Sequence, residues 1–428
     1  MISLGSLKSK FFDNYKKNEL FCNLAILTIL FFLNCFMGEL SFVTFSFLLV
    51  CIIVSDMSNG FSYLVFTIPF CMIASDTSGF LYIATVATFM LKGYIRLLFI
   101  DKIKINKKII VAFIAFVIYL LLPIDGIYGY NEQLPIKFVV IVGLILFAIL
   151  MIHYPKEFRI KINVNICALA LFISVIFFGT YFISDHLQST IKLLYYGNFI
   201  RFQALLSNPN ILAMISEICL ALLVYFILSS KISWVEIVSF IIFTVLGFST
   251  MSKTFLILLF IMFTILIVYF VIKKPFYGLC VITGISVVIV LLVAIKPQLF
   301  AAYLNRFVDI GTNVEGNSVN GALNHMTTGR YGLWIGYLQY MINYPYTLFF
   351  GATLGARQIG GESAHNIYIS SLYQFGIIGS ILFVLTLVFL CKDFKKRYPL
   401  LISKWIIVPI IIFAMIVCVE DLFMFIYV

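Results

Sequence analysis

Along this chain, apolar runs close to the thickness of a hydrocarbon core alternate with short polar gaps, and Lys, Arg, Asp and Glu gather in the gaps. About thirteen runs recur: Leu20 to Phe36, Leu40 to Ser55, Phe61 to Ser75, Phe80 to Leu91, Ile109 to Ile124, Phe138 to Tyr154, Asn163 to Ile183, Ile211 to Ser230, Val235 to Thr250, Thr254 to Ile272, Phe276 to Ile295, Ile377 to Cys391 and Trp405 to Val428. Backbone in lipid must satisfy its own N–H and C=O groups, so such runs predict helices. The expected fold is all-α: a polytopic helical integral membrane protein with about 12–13 transmembrane helices, one membrane domain over residues 1–428. One connection is far longer than the others. Residues 296–366 are expected to form a long external loop containing short amphipathic helices, and a connection of that length is a functional candidate.

Composition sharpens this picture. Hydrophobic residues make up 63% of the 428, charged residues only 11%, and the mean hydropathy is +1.11, which excludes a string of soluble domains. All nine cysteines lie within or at the ends of the apolar runs and form no Cys-x-x-Cys pair, so they read as small apolar residues. The Lys-rich N-terminus carries no small-residue cleavage signature and predicts a retained first helix. A net charge of +11 would suit a nucleic-acid binder, but its distribution gives a simpler account. With the N-terminus in the cytoplasm, 21 of the 29 Lys and Arg fall on the cytoplasmic side, as the positive-inside rule requires. Nucleic acid is therefore not an expected partner.

Eight basic residues remain on the outer side: Lys137, Lys192, Arg201, Lys253, Lys296, Arg306, Arg330 and Arg357. Three of the segments holding them, or lying beside them, read as starts of helices that run inward. In Arg201-Phe202-Gln203-Ala204-Leu205-Leu206-Ser207-Asn208-Pro209-Asn210, Asn208 suits the N-cap and Pro209 the first helical position. The free N–H groups and positive dipole end of such a helix favour an anion, and Arg201 adds a full charge. The turn Ser249-Thr250-Met251-Ser252-Lys253-Thr254 starts a second helix with hydroxyl caps and one cation. In the long loop, Gly329-Arg330-Tyr331-Gly332-Leu333-Trp334 opens a helical, aromatic-rich stretch to about Ile342, expected to lie along the membrane surface. The loop closes at Ala364-His365-Asn366-Ile367-Tyr368 before a third inward helix past Gly376, and His365 is the best general-base candidate among the four histidines.

These segments, in this order, resemble the O-antigen polymerase and O-antigen ligase superfamily, whose members transfer glycans from an undecaprenyl diphosphate carrier. The family's Arg followed by Asn-Pro-Asn matches Arg201, Asn208, Pro209 and Asn210. Its Gly-Arg-x-x-x-Trp matches Gly329, Arg330 and Trp334, and its His-Asn-x-Tyr matches His365, Asn366 and Tyr368. Its Ser-Arg helix start looks like Ser252-Lys253, with lysine where arginine is usual, and Ala204 and Leu206 stand where Gly and Phe are commoner. The motifs span residues 195–380. The resemblance implies a bacterial inner-membrane enzyme whose active site faces outward. It would take an undecaprenyl-diphosphate-linked oligosaccharide as donor and an acceptor glycan as partner, among membrane lipids and polysaccharide assembly proteins such as a chain-length regulator. It implies Arg201 and Arg330 on the diphosphate with Lys253 and Arg306 as helpers, His365 as base, and Asn208, Asn210, Asn366, Trp334 and Tyr368 in support.

The outer acids Glu39, Asp76, Asp125, Glu132, Asp185, Asp309, Glu315 and Glu362 form no close pair in sequence, so neither a metal nor another cofactor is expected. Glu217, Glu420 and Asp421 sit in or beside apolar runs without an assigned role. The expected product is a polymerised repeat-unit glycan, O-antigen or capsular. A ligase attaching polymer to lipid A core shares the same motifs. A flippase for the same lipid-linked glycan is a third reading, weakened by the lack of internal repeats.

Overall fold

The computed structural model of the protein describes residues 4–73, 76–121, 134–196, 199–206, 208–229, 233–273, 275–276, 283, 301, 330–352, 359, 364 and 366–397. These residues are mostly helical, as the apolar pattern predicts. The first seven helices are α1 (Leu4–Asn34), α2 (Ser41–Val54), α3 (Met57–Thr67), α4 (Asp76–Ile95), α5 (Lys107–Leu121), α6 (Leu134–His153) and α7 (Ile160–Phe178). A short α8 (Asp185–Thr190) and a hairpin of β1 (Leu194–Tyr196) and β2 (Phe199–Arg201) follow. Then come α9 (Pro209–Ser229), α10 (Trp234–Ser249), α11 (Lys253–Lys273), α12 (Arg330–Asn343), α13 (Pro345–Phe350) and α14 (Ile367–Arg397).

Eleven of the thirteen apolar runs thus lie on helices, while nearly all of the run 276–295 and the whole run 405–428 fall outside the described residues, as do Glu420, Asp421 and most of the loop 296–366. Among the described residues, five helical stretches are long and apolar enough to cross a membrane: Phe80–Ile100, Ile160–Ile183, Pro209–Leu228, Lys253–Lys273 and Tyr368–Asp393. Some elements depart from the pattern reading. The hairpin and α8 are absent from it, α1 starts at Leu4, ahead of the apolar run at Leu20, and α14 starts ten residues before the run at Ile377, because an asparagine cap begins it and a helix break at Gly376 divides it.

Packing follows the membrane rule that apolar residues face both inward and outward. Buried side chains of α7, α9, α10 and α11 share one core, and those of α1 to α4, α6 and α7 share another. A third core joins α5, α6 and α14, and a small one joins α12 to the start of α14. Outward positions stay apolar: Phe80 on α4 is 72% exposed and Phe260 on α11 is 73% exposed, a pattern that only lipid makes favourable. Inside, polar groups find protein partners, as where Asn23 donates from Nδ2 to the Tyr63 hydroxyl at 2.9 Å.

Polar contacts sort the helix ends into two sets. At one end Lys92 Nζ donates to the carbonyls of Ile52, Ile53 and Ser55, a cation on the open C-terminus of α2. The same end holds Arg96 with Asp101 and Glu157, Tyr154 with Asp101, and Lys161 with Glu236. At the other end Ser184 Oγ donates to the Cys35 carbonyl, His186 Nε2 approaches the Ile73 carbonyl, and Arg201 reaches Thr250. Each of these contacts joins ends that alternate threading assigns to one side.

Candidate functional site

The hairpin presents Arg201. Strands β1 and β2 are antiparallel with Leu194 opposite Arg201 and Tyr196 opposite Phe199. Their aromatic and β-branched residues flank Gly197-Asn198, a dipeptide that favours tight hairpins, so the signal was in the sequence. After Arg201 the Phe202 N–H donates to the Ser249 carbonyl at 3.2 Å. Gln203, fully buried, donates from Nε2 to the Lys192 carbonyl at 3.0 Å. The segment is thereby fastened both to the end of α10 and to the chain entering the hairpin.

The half-buried guanidinium of Arg201 sits between two helix starts. Its Nη2 donates to Asn210 Oδ1 at 2.9 Å, in the first turn of α9, and its Nε donates to the Thr250 carbonyl at 3.2 Å, just before α11. Asn208 caps α9 as its sequence predicts, its Oδ1 accepting from the Asn210 N–H at 2.8 Å, with Pro209 first in the helix. Ser252 caps α11, its Oγ accepting from the Phe255 N–H at 3.4 Å, and Lys253 is that helix's first residue. Since α10 runs back between them, α9 and α11 point the same way and bring both N-termini to one end.

Each helix N-terminus carries an effective charge of roughly +0.5, so Arg201 and Lys253 stand where the backbone is already positive. A helix gains from an acid at this place and loses from a base. The backbone here is also unusual: Ala204, three residues after Arg201, and Met251, next to its partner Thr250, are both buried and adopt left-handed φ angles of 53° and 55°. Residues other than glycine hold such angles at a cost of about 1–2 kcal/mol each.

A second group forms around α12. Arg330 is its first residue, and one helical turn on, Trp334 donates from Nε1 to the Ala364 carbonyl at 2.8 Å. That bond joins the Gly-Arg-x-x-x-Trp segment to the residue preceding His365. Tyr337 packs edge-on against Tyr373 with ring centroids 5.0 Å apart, and its hydroxyl accepts from the Ile359 N–H at 3.2 Å. Asn366 caps α14: its Oδ1 accepts from the N–H groups of Tyr368 at 3.0 Å and Ile369 at 3.2 Å. The Tyr368 ring is itself exposed. Three helix starts are therefore capped by Asn208, Ser252 and Asn366.

Arg201, Asn208, Asn210 and the start of α11 are one hydrogen-bonded group, and Trp334, Ala364 and Asn366 belong to the other. Both lie at the same end of the bundle, because α5 begins beside Asp101 at the far end and its Tyr119, near the opposite tip, touches α13 and α14. His365, Arg306 and Gly329 fall outside the described residues. Glu217 is buried within α9. Among the described residues no group of three or more His, Cys, Asp or Glu is arranged to hold a metal ion. Comparison of the chain with protein-family models, with curated proteins and with solved structures finds no match.

Proposed function

We propose that the chain is a membrane glycosyltransferase that takes a glycan from a polyprenyl diphosphate and passes it to a sugar hydroxyl, joining lipid-linked repeat units into an O-antigen or capsular polysaccharide. One observation carries this reading: Arg201 is braced by Asn210 and Thr250 at the shared N-terminal end of α9 and α11, with Lys253 opening α11. Cations placed at two positive helix ends add to the backbone's attraction for a polyanion, and a diphosphate leaving group is such an anion. The reaction is assigned to the outer face of the bacterial inner membrane, a reading that the positive-inside distribution of Lys and Arg supports.

In the proposed step the acceptor hydroxyl oxygen attacks the donor's anomeric carbon from the face opposite the leaving group. The carbon–oxygen bond to the diphosphate breaks, its electron pair departs with the phosphate, and His365 takes the hydroxyl proton. The product is inverted at that carbon. Arg201 and Arg330 hold the developing charge, with Lys253 and Arg306 in support.

The test is reconstitution in proteoliposomes with an undecaprenyl-diphosphate-linked oligosaccharide as both donor and acceptor. A ladder of longer glycans with released undecaprenyl diphosphate is the expected product. Arg201→Ala should slow it about 100- to 1,000-fold, and His365→Ala about 100- to 10,000-fold. An undiminished ladder from both variants would overturn the reading. In the host, loss of a polymerase leaves single repeats on the core, whereas loss of a ligase strands polymer on the carrier.

A second reading, transport of the same lipid-linked glycan, has one observation in its favour, the break of α14 at Gly376, since interrupted helices mark transport sites. Movement of the donor across the bilayer without release of undecaprenyl diphosphate would select it.

A further inference from the structure

Helix α14 is two helices joined end to end. Its first half covers residues 367–375, and Gly376 then takes φ 63° and ψ −176° before the second half runs on to Arg397. An unbroken helix would bond the Gly379 N–H directly to the Phe375 carbonyl, four residues back. A side chain from a distant part of the chain meets the helix at this break. The Tyr119 hydroxyl, near the tip of α5, donates to the Phe375 carbonyl at 2.9 Å. The same hydroxyl is 2.8 Å from the Phe350 carbonyl at the end of α13.

The rest of the joint is shaped to this contact. Gly351, at φ 79°, and Gly376 bring two backbones into contact, and a Cβ on Gly376 would meet the Gly351 nitrogen at 2.4 Å. The Tyr373 carbonyl, released by the break, accepts from the Ala352 N–H at 2.7 Å. A Cβ on Gly379 would meet Tyr119 Cε1 at 2.4 Å, so glycine there is what lets the ring approach. Sharp helix kinks form at glycines and where an outside side chain takes up a ladder group. Here the Phe375 carbonyl beside Gly376 is held from outside α14.

We propose that Tyr119 is a positioning residue: its hydroxyl, bonded to the Phe350 and Phe375 carbonyls at the break, fixes the direction of the half-helix that starts at Asn366, and with it the chain segment carrying His365. The link to catalysis rests on the function proposed above. The structural half of the claim does not.

The experiment uses the full-length protein in proteoliposomes and reads two quantities, amide hydrogen exchange and glycan transfer. In Tyr119→Phe, which keeps the ring, residues 367–375 should exchange about 10-fold faster while residues 380–393 keep their protection. Transfer should slow about 10- to 100-fold in kcat with KM for the lipid-linked donor unchanged, the pattern of a displaced group rather than a lost binding contact. Gly379→Ala should do the same by pushing the ring aside, although alanine is the better helix former. Unchanged exchange over 367–375 in both variants overturns the positioning claim, as does an equal loss of protection throughout the chain. If exchange responds as expected but His365→Ala transfers glycan at the normal rate, the catalytic reading fails and the brace stands.

Discussion

Arg201 donates from Nη2 to Asn210 Oδ1 at 2.9 Å, so the first turn of α9 both presents its own N–H groups and aims the guanidinium beside them. Charge alone is then insufficient. Arg201→Lys keeps the cation and loses the planar fork that reaches Asn210 and Thr250 together, and transfer should fall about 10- to 100-fold. A lysine variant at full rate in the proteoliposome assay would mean that this geometry is immaterial.

Ala204 provides a test of stability free of any functional assumption. At φ 53° and fully buried, it occupies a conformation that suits glycine, the residue commoner at this place in the family the sequence resembles. Ala204→Gly should raise stability by about 0.5–1 kcal/mol. Ala204→Val, β-branched in the same conformation, should lower it by about 1–3 kcal/mol. Thermal unfolding of the detergent-solubilised protein measures both, and a shift of the same sign in the two would contradict the argument.

The ion pairs at the opposite end differ in depth. Glu236 is 2% exposed and meets Lys161 at 2.7 Å while capping the start of α10 through the Ser233 N–H, so Lys161→Ala leaves a buried carboxylate short of its cation. The expected loss is about 1–3 kcal/mol. Arg96 and Asp101, both about a third exposed, should yield under about 1 kcal/mol on Asp101→Ala. Denaturation of both variants in one detergent reads the ranking directly, and a larger loss from Asp101→Ala would reverse it.

Diphosphate stabilisation by arginine and helix ends also makes a cofactor prediction. Glycan transfer should persist at the full rate in excess chelator, and a strict requirement for magnesium or manganese would replace Arg201 with a bound metal as the main counter-charge.

Much of this architecture is legible one segment at a time. Apolar runs gave the helices, Asn208 with Pro209 marked one start to the residue, and the turn 249–254 marked another, because caps and spans are written in neighbouring positions. The hairpin before Arg201 was equally local, in Gly197-Asn198, yet hidden within a chain otherwise read for helices. Tyr119 was beyond reach of such reading. A tyrosine at the tip of an apolar run looks like any interfacial aromatic, and the carbonyls it bridges lie 231 and 256 residues away. The bracing of Arg201 by Thr250, 49 residues on, is of the same kind.

The fastening of residues 184–186 to Cys35 and Ile73 bears on biogenesis. Synthesis delivers α1 to α3 to the membrane long before the segment that carries Arg201, so the surface that receives α8 and the hairpin exists before they emerge. The end that carries Arg201 is thus assembled on a template laid down by the first sixth of the chain. Helix α14, made later, arrives at an α5 whose tyrosine is already waiting to bend it.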